Sequence, residues 1–420
     1  MPRVALQYGH GEVEFSIPDG RLLGELRPAA PKQISDPYAE SLRALASPLG
    51  SPPLGELCQA ASTALVLTVD FTRPSPRPLL EPLLDELASH GIKADIAIAA
   101  GRHRPMTDAE LHAHLGERIV SCHRIILHNS FDAAAHIELG VTSRGTPIRV
   151  NRCIFDYDLV LAVGSIEPTY MPGFSGGRKM LLPGMAWHES VDANHYLITQ
   201  PGTGAGILAG NPMSEDMEEF ARELPLHFIL YGVIGPEDEI AAIVAGDRHV
   251  AHREGCRLSG GIFRVRSPRA GIVISSVGGH PYDCDLVQGK KAIIPASALV
   301  EDGGAIIIVA EAPERWGAEA VFSEWLLRYS PEEVLRRASD RAQFSLGAHG
   351  ARILAKPIVE QGVRVIVLTN PMLAEDLQDS FVDATAEPEQ ALRWAVEHAG
   401  EAATVLAVHK ARRLIAEPAP

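Results

Sequence analysis

The sequence predicts an α/β fold that consists of two α/β domains with mostly parallel sheets. Three observations lead to this prediction: short apolar runs recur along the chain, polar or glycine-rich residues end each run, and an amphipathic stretch separates the first two runs. Strand, helix and strand at this spacing are typical of βαβ units, whose strands run parallel. The length of 420 residues agrees with two or three domains.

The first domain is expected to span residues 1–260. Residues 1–20 alternate between polar and apolar like a pair of β-strands. An amphipathic helix is predicted from Leu79 to His90, and Gly91 follows where a helix-ending glycine is common. The proline-rich residues 26–53 predict an ordered surface connection. Strands are predicted at the apolar runs 64–69, 95–101, 124–129 and 159–165.

The second domain is expected to span residues 261–420. The boundary is placed in the polar and basic stretch from Ala251 to Arg269. Helices are predicted from Gln288 to Val300 and from Pro331 to Ala338. A last helix is also expected, and it can pack back on the first domain. Strands are predicted at the apolar runs 271–279, 304–312, 364–369 and 403–409.

Charge and composition exclude several classes of protein. A net charge of −15 argues against nucleic acid as a partner, although a few local cations still allow an anionic substrate. No apolar run reaches the ~18 residues of a membrane span, and the amino-terminal segment lacks the apolar centre of a signal peptide. The five scattered cysteines form no CxxC motif, so a disulfide framework is not expected. We therefore expect a cytoplasmic protein without membrane contact.

Polar side chains follow three of the predicted strands. They lie at 70–73, at His103 and at 167–179. Because ligands of open parallel sheets bind beyond the carboxyl ends of the strands, these segments are expected at one edge, around one site.

Each of these residues has a functional and a structural interpretation. Asp70 or Thr72 can cap the helix that follows. The planar guanidinium of Arg73 can bind a carboxylate through two hydrogen bonds. His103 is either a structural histidine or a general acid–base group, since the ordinary pKa of histidine near 6.5 suits proton transfer at neutral pH.

Two glycine-rich segments resemble nucleotide-binding loops without matching them. Residues 202–206 lack the third glycine of a dinucleotide fingerprint, because Ile207 stands there. Residues 173–179 depart from the P-loop pattern, because Arg178 precedes the lysine. The glycines of residues 173–179, together with Ser175, Arg178 and Lys179, still suit a phosphate. The alternative for both segments is a tight turn.

Two further groups are candidates for binding a metal or an anion. His188, Asp192 and His195 share one face of a helix, where they are either metal ligands or ordinary polar residues. HESVD is not the HExxH motif of zinc hydrolases. Lys291, at the end of the QGKK segment, is either an anion ligand at a helix N-terminus or a solvated lysine.

Together these segments resemble the lactate racemase family. The resemblance runs through most of the chain and keeps the order of the motifs. It implies two α/β domains with a cofactor in the cleft between them, and a racemase or epimerase of a 2-hydroxy acid, either a short aliphatic one such as lactate or a sugar acid. The motifs are DFTRP (70–74), GRHRPMT (101–107), GSIEPTYMPGFSGGRKMLLPG (164–184), ANH (193–195), GNP (210–212), GGHPYDCDLVQGKK (278–291) and DGGAIIIVAE (302–311).

The resemblance also implies a cofactor, a nickel-pincer nucleotide whose pyridinium ring holds nickel through two sulfurs and one carbon. By position, Lys179 anchors it covalently and His195 is the nickel ligand, and imidazole with sulfur donors suits nickel. His103 matches one of two acid–base histidines. Proteins of cofactor synthesis are implied as partners that load the enzyme. The remaining matches to cofactor or substrate contacts are Asp70, Phe71, Thr72, Arg73, Gly176, Gly177, Gln288 and Lys291.

The chain departs from the family pattern at two positions. Thr169 stands where the second acid–base histidine belongs, and a hydroxyl cannot take up a proton at neutral pH as imidazole can. Val287 stands where a tyrosine is common. The alternatives to a racemase are therefore a one-base redox or lyase-type enzyme on the same scaffold, and a cofactor-binding protein without turnover.

Overall fold

The computed structural model describes residues 1–419, in which strands and helices alternate along most of the chain. The strands are β1 (Arg3–Tyr8), β2 (Gly11–Ser16), β3 (Leu22–Leu26), β4 (Thr63–Thr68), β5 (Lys93–Ile98), β6 (Ile125–Leu127), β7 (His136–Val141), β8 (Pro147–Asn151), β9 (Leu159–Ile166), β10 (Pro168–Thr169), β11 (Gly173–Phe174), β12 (Phe228–Ile234), β13 (Ile240–Gly246), β14 (Arg264–Ser267), β15 (Ala270–Ser276), β16 (Val300–Val309), β17 (Arg364–Leu368), β18 (Asp383–Thr385), β19 (Val405–Val408) and β20 (Ile415–Pro418).

The helices fall mostly between these strands. They are α1 (Pro37–Ala46), α2 (Leu54–Cys58), α3 (Arg77–Ser89), α4 (Asp108–Leu115), α5 (Glu117–Cys122), α6 (His188–Tyr196), α7 (Pro212–Ala221), α8 (Val250–Phe263), α9 (Leu286–Gly289), α10 (Ile293–Leu299), α11 (Ala320–Arg328), α12 (Pro331–Ser339), α13 (Ala348–Gln361), α14 (Pro371–Asp376) and α15 (Pro388–Ala399).

One compact unit comprises Ala30–Ile262. Its sheet has the order β13-β12-β9-β4-β5-β6, and every neighbouring pair is parallel except β12 with β13. The predicted strands and the helix α3 are confirmed, and Gly91 has the positive φ of +74° expected after a helix end. Leu83 and Leu87 of α3 are fully buried in one core cluster with apolar side chains of the sheet, as burial of an amphipathic helix requires.

The other unit comprises Met1–Ala29 together with the residues from Phe263 onward. Its parallel sheet has the order β18-β17-β16-β15-β19-β3. The hairpin of β1 and β2 contributes Val4, Leu6 and Phe15 to the core of this unit. The division near residue 262 lies close to the expected boundary, but the first 29 residues pack with the C-terminal unit. The physical reason is that β3 pairs with β19, a long-range contact that no local pattern reveals.

Two further expectations concern the last helix and the proline-rich connection. The last helix, α15, contacts β2, which lies within residues 1–260, as well as β15, β16, β17 and β18. The proline-rich connection contains the helix α1, which begins with Pro37 in its first turn and is capped by the Asp36 carboxylate accepting from Ala39 N at 3.0 Å. A proline at the start of a helix is favourable, so its presence did not argue against a helix.

Helix α8 supports the glycine-rich segment 173–179 of the unit Ala30–Ile262. The His252 side chain of α8 donates from Nε2 to the backbone oxygen of Ser175 at 2.8 Å. Gly177 has φ +57°, and a Cβ atom placed there would lie 2.9 Å from two atoms of the His252 ring. Glycine is therefore required at this position by both conformation and space.

No helix among residues 1–419 combines the length and the apolar character needed to cross a membrane. All five cysteines are free, as the sequence predicted.

We predict that Gly177→Ala destabilises the unit Ala30–Ile262 by about 1–3 kcal/mol, because the methyl group meets a buried ring that cannot move away. The matched control is Gly261→Ala in α8, where an added Cβ meets nothing within 4 Å. That change is expected to stabilise by about 0.5–1 kcal/mol through the helix propensity of alanine. Both values come from urea denaturation, and equal midpoints for the two variants would contradict the assigned packing.

Candidate active site

Asp70 lies just beyond β4 and is the buried centre of the site. It is 3% exposed. Its Oδ1 accepts from the Thr72 backbone N–H at 3.1 Å and from the Thr72 hydroxyl at 2.5 Å, and its Oδ2 lies 2.6 Å from His103 Nδ1. Burial alone would raise the pKa of Asp70, but the hydrogen bonds from His103 and Thr72 and the nearby imidazole bring the pKa below its ordinary value. One interpretation of the sequence proposed that Asp70 caps α3. In the structure Asp70 does not do so.

His103 follows β5 and is oriented by Asp70. The ionised carboxylate accepts from Nδ1–H, which leaves the lone pair on Nε2. The side chain is 53% exposed, so Nε2 belongs to a group that an incoming ligand can reach. A histidine oriented by a buried carboxylate has the arrangement of a general base.

The two arginines beside His103 fix its loop. Arg104 forms two hydrogen bonds with the Glu110 carboxylate, at 2.8 and 2.5 Å, and its guanidinium lies 4.5 Å from the centre of the Phe71 ring. Arg102 forms an ion pair with Asp192 of α6. Phe71 is thus partly covered by Arg104. Arg102 was not predicted, and its only signal in the sequence is its place next to His103.

Arg73 is held by a second buried carboxylate. Its Nη1 lies 3.2 Å from Oε1 of Glu167, which is 3% exposed and directly follows β9. The Glu167 backbone N–H in turn donates to the Ser175 hydroxyl at 2.9 Å. The predicted convergence of the three strand ends is confirmed, because β9, β4 and β5 are parallel neighbours.

Lys179 lies in a 3₁₀ turn, Gly177–Met180, at the end of the glycine-rich segment. The neighbouring Arg178 is buried and does not offer its charge to a phosphate, contrary to the sequence-based expectation. It donates to the Ser214 hydroxyl at 2.7 Å and to the Pro172 carbonyl at 3.2 Å, and lies 3.3 Å from the Glu218 carboxylate. Lys179, the other cation beside the glycines, is half-buried.

His195 in α6 has the properties of a metal ligand. Its Nδ1–H donates to the Val191 carbonyl at 2.8 Å, which leaves the lone pair on Nε2. Burial lowers its pKa to about 4, and the positive charges of Lys179 and Arg102 act in the same direction. The ring is therefore neutral at neutral pH. A neutral imidazole oriented through its second nitrogen is the form that binds metals, so this residue fits nickel.

The other two candidate ligands on α6 are engaged elsewhere. The His188 ring stacks on Phe131 at 4.7 Å and lies 4.4 Å from the Trp187 ring. Asp192 pairs with Arg102. Of the three residues on this helix face, His195 is the one whose ring is fixed by a hydrogen bond at Nδ1 and whose Nε2 keeps its lone pair.

Thr169 lies in β10, opposite Gly173 of β11. Its Oγ1 is inaccessible to solvent, and no group among residues 1–419 forms a hydrogen bond with it. Residues 202–206 form a turn beside this pair of strands, with the Gly206 N–H donating to the Gly173 carbonyl at 3.0 Å, which agrees with the simple-turn interpretation.

Gln288 and Lys291 are neighbours in the unit that comprises Met1–Ala29 and the residues from Phe263 onward. Lys291 Nζ donates to the Gln288 side-chain oxygen. One interpretation of the sequence placed Lys291 at the N-terminus of a helix, and the structure differs from it. Helix α9 begins earlier, at Leu286, and the Asp285 carboxylate already accepts from the Gln288 N–H at 2.7 Å. This segment can therefore attract an anion through the charge of Lys291, but not through the N-terminus of a helix.

Lys290 is a buried residue that the sequence analysis missed. Its Nζ donates to the Val287 carbonyl at 2.7 Å and lies 4.6 Å from the centre of the Phe322 ring. Burial lowers its pKa to about 8. The GKK sequence gives no sign that its two lysines point into different environments.

Comparisons with known proteins identify the family of the chain. Residues 8–206 match the sequence model of the lactate racemase N-terminal domain, and residues 265–415 match that of the C-terminal domain. The chain is 32% identical over 402 residues to a lactate racemase of Thermoanaerobacterium thermosaccharolyticum, covering 94% of each chain. It is 31% identical over 373 residues to a lactate racemase of Lactiplantibacillus plantarum, covering 87% of this chain and 88% of the relative.

Solved structures give the same result. The lactate racemase apoprotein of T. thermosaccharolyticum superposes with a TM-score of 0.93 at 30% identity, covering 99% of this chain and 100% of the other. A Thermotoga maritima protein shares the fold, with a TM-score of 0.66 at 19% identity, covering 92% and 99%. The chain belongs to the lactate racemase family and is a racemase, an isomerase.

Proposed function

We propose that the chain racemises a 2-hydroxy acid with a nickel-pincer nucleotide, attached covalently to Lys179 and bound through nickel to His195. Lactate, which the names of the two relatives specify, is the first substrate to consider, followed by its short homologues and sugar acids. The observation that carries the proposal is His195, a neutral imidazole whose Nδ1 is fixed and whose surroundings include the charge of Lys179.

The chain's own residues would hold the cofactor at three points. His195 Nε2 binds nickel, the Lys179 amine forms the covalent link, and the backbone N–H groups at Gly176 and Gly177 suit the phosphate. Asp70, Phe71 and Thr72 complete the contacts that the resemblance assigns. When bound, the cofactor supplies a pyridinium ring that takes the C2 hydrogen with its electron pair and returns it.

Hydride removal is favoured over proton removal by electrostatics. Taking a proton from C2 would place a second negative charge next to the carboxylate, whereas loss of hydride and of the hydroxyl proton leaves a neutral carbonyl. We propose that His103 Nε2 takes the hydroxyl proton and that Asp70 stabilises the resulting imidazolium. Arg73, Lys291 and Gln288 bind the carboxylate.

Loading would require proteins that synthesise the cofactor, and we propose the cytoplasm as the location of the enzyme. Two alternatives use the same scaffold. A one-base redox or lyase-type enzyme would release a product of a different class, such as a 2-oxo acid. A non-catalytic cofactor-binding protein would bind a 2-hydroxy acid without converting it. Chiral chromatography of holoenzyme reactions with 2-hydroxy acids separates the three.

We predict that cofactor content separates the roles of Lys179 and His195. In protein co-produced with the cofactor-synthesis proteins, Lys179→Ala is expected to lose the added mass of the cofactor, because the amine that forms the bond is gone. His195→Ala is expected to lose nickel. Intact-mass spectrometry and metal analysis measure the two quantities, and His188→Ala serves as the matched control that keeps nickel. Loss of nickel in the control but not in His195→Ala would refute the ligand assignment.

We predict that His103→Gln lowers kcat by about 10²- to 10⁴-fold, the usual contribution of a general base. Asp70→Asn should also lower kcat, because the amide N–H of asparagine can donate to Nδ1 and so favour the tautomer that carries its proton on Nε2. Nickel content should not change in His103→Gln. The control is His112→Gln, an exposed histidine of α4 that pairs with Glu117. Racemisation at the wild-type rate in His103→Gln would remove this residue from the mechanism.

A further inference from the structure

Helix α6, which carries His195, buries little apolar surface. Of its nine residues, Ser190, Val191 and Asn194 are buried, and Val191 is the one apolar side chain among these three. Burial of an apolar face is the usual way in which a helix is held against a core, and its contribution grows with the apolar area removed from water. We therefore expect polar contacts to supply much of what holds α6 in place.

The beginning of α6 is tied to β8 and to the segment that follows β6. The Trp187 N–H donates to the Arg149 carbonyl at 2.9 Å, and the His188 N–H donates to the Ser130 carbonyl at 3.1 Å. The Arg149 guanidinium also lies 3.9 Å from the centre of the Trp187 ring. These contacts hold the first turn of the helix, which is about two turns away from His195.

The end of α6 is tied to α7 through Asn194, the residue that precedes His195. Asn194 Nδ2 donates to a carboxylate oxygen of Asp216 at 2.7 Å and to the Met213 carbonyl at 3.2 Å. Both neighbours are acceptors, so the amide must turn its nitrogen toward them. Its Oδ1 is inaccessible to solvent and accepts no hydrogen bond from residues 1–419. An unpaired buried oxygen costs about 1–3 kcal/mol, so this amide is favourable only because of the two bonds that it donates.

Asp216, the acceptor in α7, is fully buried. Besides the bond from Asn194, its carboxylate accepts from the Thr142 hydroxyl at 2.5 Å and from the Thr146 hydroxyl at 2.7 Å. The two threonines flank the turn between β7 and β8. A buried carboxylate is tolerated when hydrogen bonds replace the water that it has lost, and three donors do so here. Asp216 therefore joins α6, α7 and this turn in one polar network.

The ring of His195 is oriented by its own helix. Its Nδ1–H donates to the Val191 carbonyl, one turn earlier in α6. This bond fixes the ring relative to α6, so the direction in which Nε2 points within the unit Ala30–Ile262 follows the rotation of the helix. Successive residues of a helix are about 100° apart around its axis. Holding Asn194 against α7 therefore sets the direction of the next side chain, that of His195.

We propose that Asn194 and Asp216 are positioning residues for the nickel ligand: their contact fixes the rotation of α6 and with it the direction of His195 Nε2. This inference rests on the proposed function, in which that atom binds nickel. Asn194 and Asp216 act through His195 and do not bind the metal themselves. Residues that hold a metal ligand from behind commonly contribute about 10- to 100-fold to metal affinity, because the ligand is then already in the orientation that the metal requires.

Loss of nickel from holoenzyme tests this assignment. Protein co-produced with the cofactor-synthesis proteins is transferred into EDTA, and the nickel that stays bound is followed over time by metal analysis. Asn194→Ala is expected to speed the loss of nickel by about 10- to 100-fold, and Asp216→Ala is expected to act in the same direction. The visible absorption of the bound nickel depends on its ligands, so the spectrum of Asn194→Ala should move toward that of His195→Ala. A wild-type rate and spectrum in Asn194→Ala would overturn the inference.

Thr142→Val and Thr146→Val are the matched controls. Each removes one hydrogen bond to Asp216 but leaves the bond from Asn194 in place. These variants and Asn194→Ala should all lower the midpoint of urea denaturation, because each leaves a buried polar group with one partner fewer. The threonine variants should nevertheless keep nickel at the wild-type rate. If Thr142→Val loses nickel as fast as Asn194→Ala does, the network supports the unit as a whole, and the assignment of a positioning role is wrong.

A conservative variant keeps the test decisive if Asp216→Ala does not fold. In Asp216→Asn the side-chain oxygen can still accept from Asn194, and a threonine hydroxyl can accept from the new amide as readily as it donates. Asp216→Asn should therefore lose nickel close to the wild-type rate, and loss as fast as in Asn194→Ala would contradict the inference. The proposed function has a separate criterion: if wild-type holoenzyme and His195→Ala keep nickel equally well, the ligand assignment itself fails, whatever the result for Asn194.

Discussion

The parallel pairing of β4 with β5 and with β9 is the constraint on which the site depends. It places the carboxyl ends of three strands side by side, so that Asp70, His103 and Glu167 follow strands that are direct neighbours. The 2.6 Å contact between Asp70 and His103 joins residues that are 33 positions apart. A shift of one residue in the pairing of β4 with β5 would turn these side chains to opposite faces of the sheet.

Two buried carboxylates then determine what the site presents to a ligand. Asp70 and Glu167 are each 3% exposed, and each is paired with a group that remains accessible, His103 and Arg73 respectively. Burying a carboxylate is costly unless hydrogen bonds and an opposite charge compensate for the lost water. Because the compensation comes from His103 and Arg73 themselves, both side chains are oriented before any ligand binds, which is the preorganisation that the proposed chemistry requires.

Local features of this chain could be predicted from its sequence, whereas long-range features could not. The strand positions, α3 and the convergence at one edge follow from periodicity and from the rule that parallel strands end together. The pairing of β3 with β19 and the inward turn of Arg178 depend on partners distant in the chain, Val405–Val408 and Ser214, and no local pattern encodes them. The role of Asp70 was ambiguous for a related reason: capping and orienting a histidine both use a carboxylate after a strand, and only the position of His103 decides between them.

The support around His103 bears on how a single residue can serve as a base. The segment around His103 is fixed by Asp70, by the pair of Arg102 with Asp192 and by the pair of Arg104 with Glu110. A base held from three sides keeps its orientation while a ligand binds. Because Thr169 stands where the family's second acid–base histidine belongs, the proposed racemisation depends on how firmly this one histidine is held.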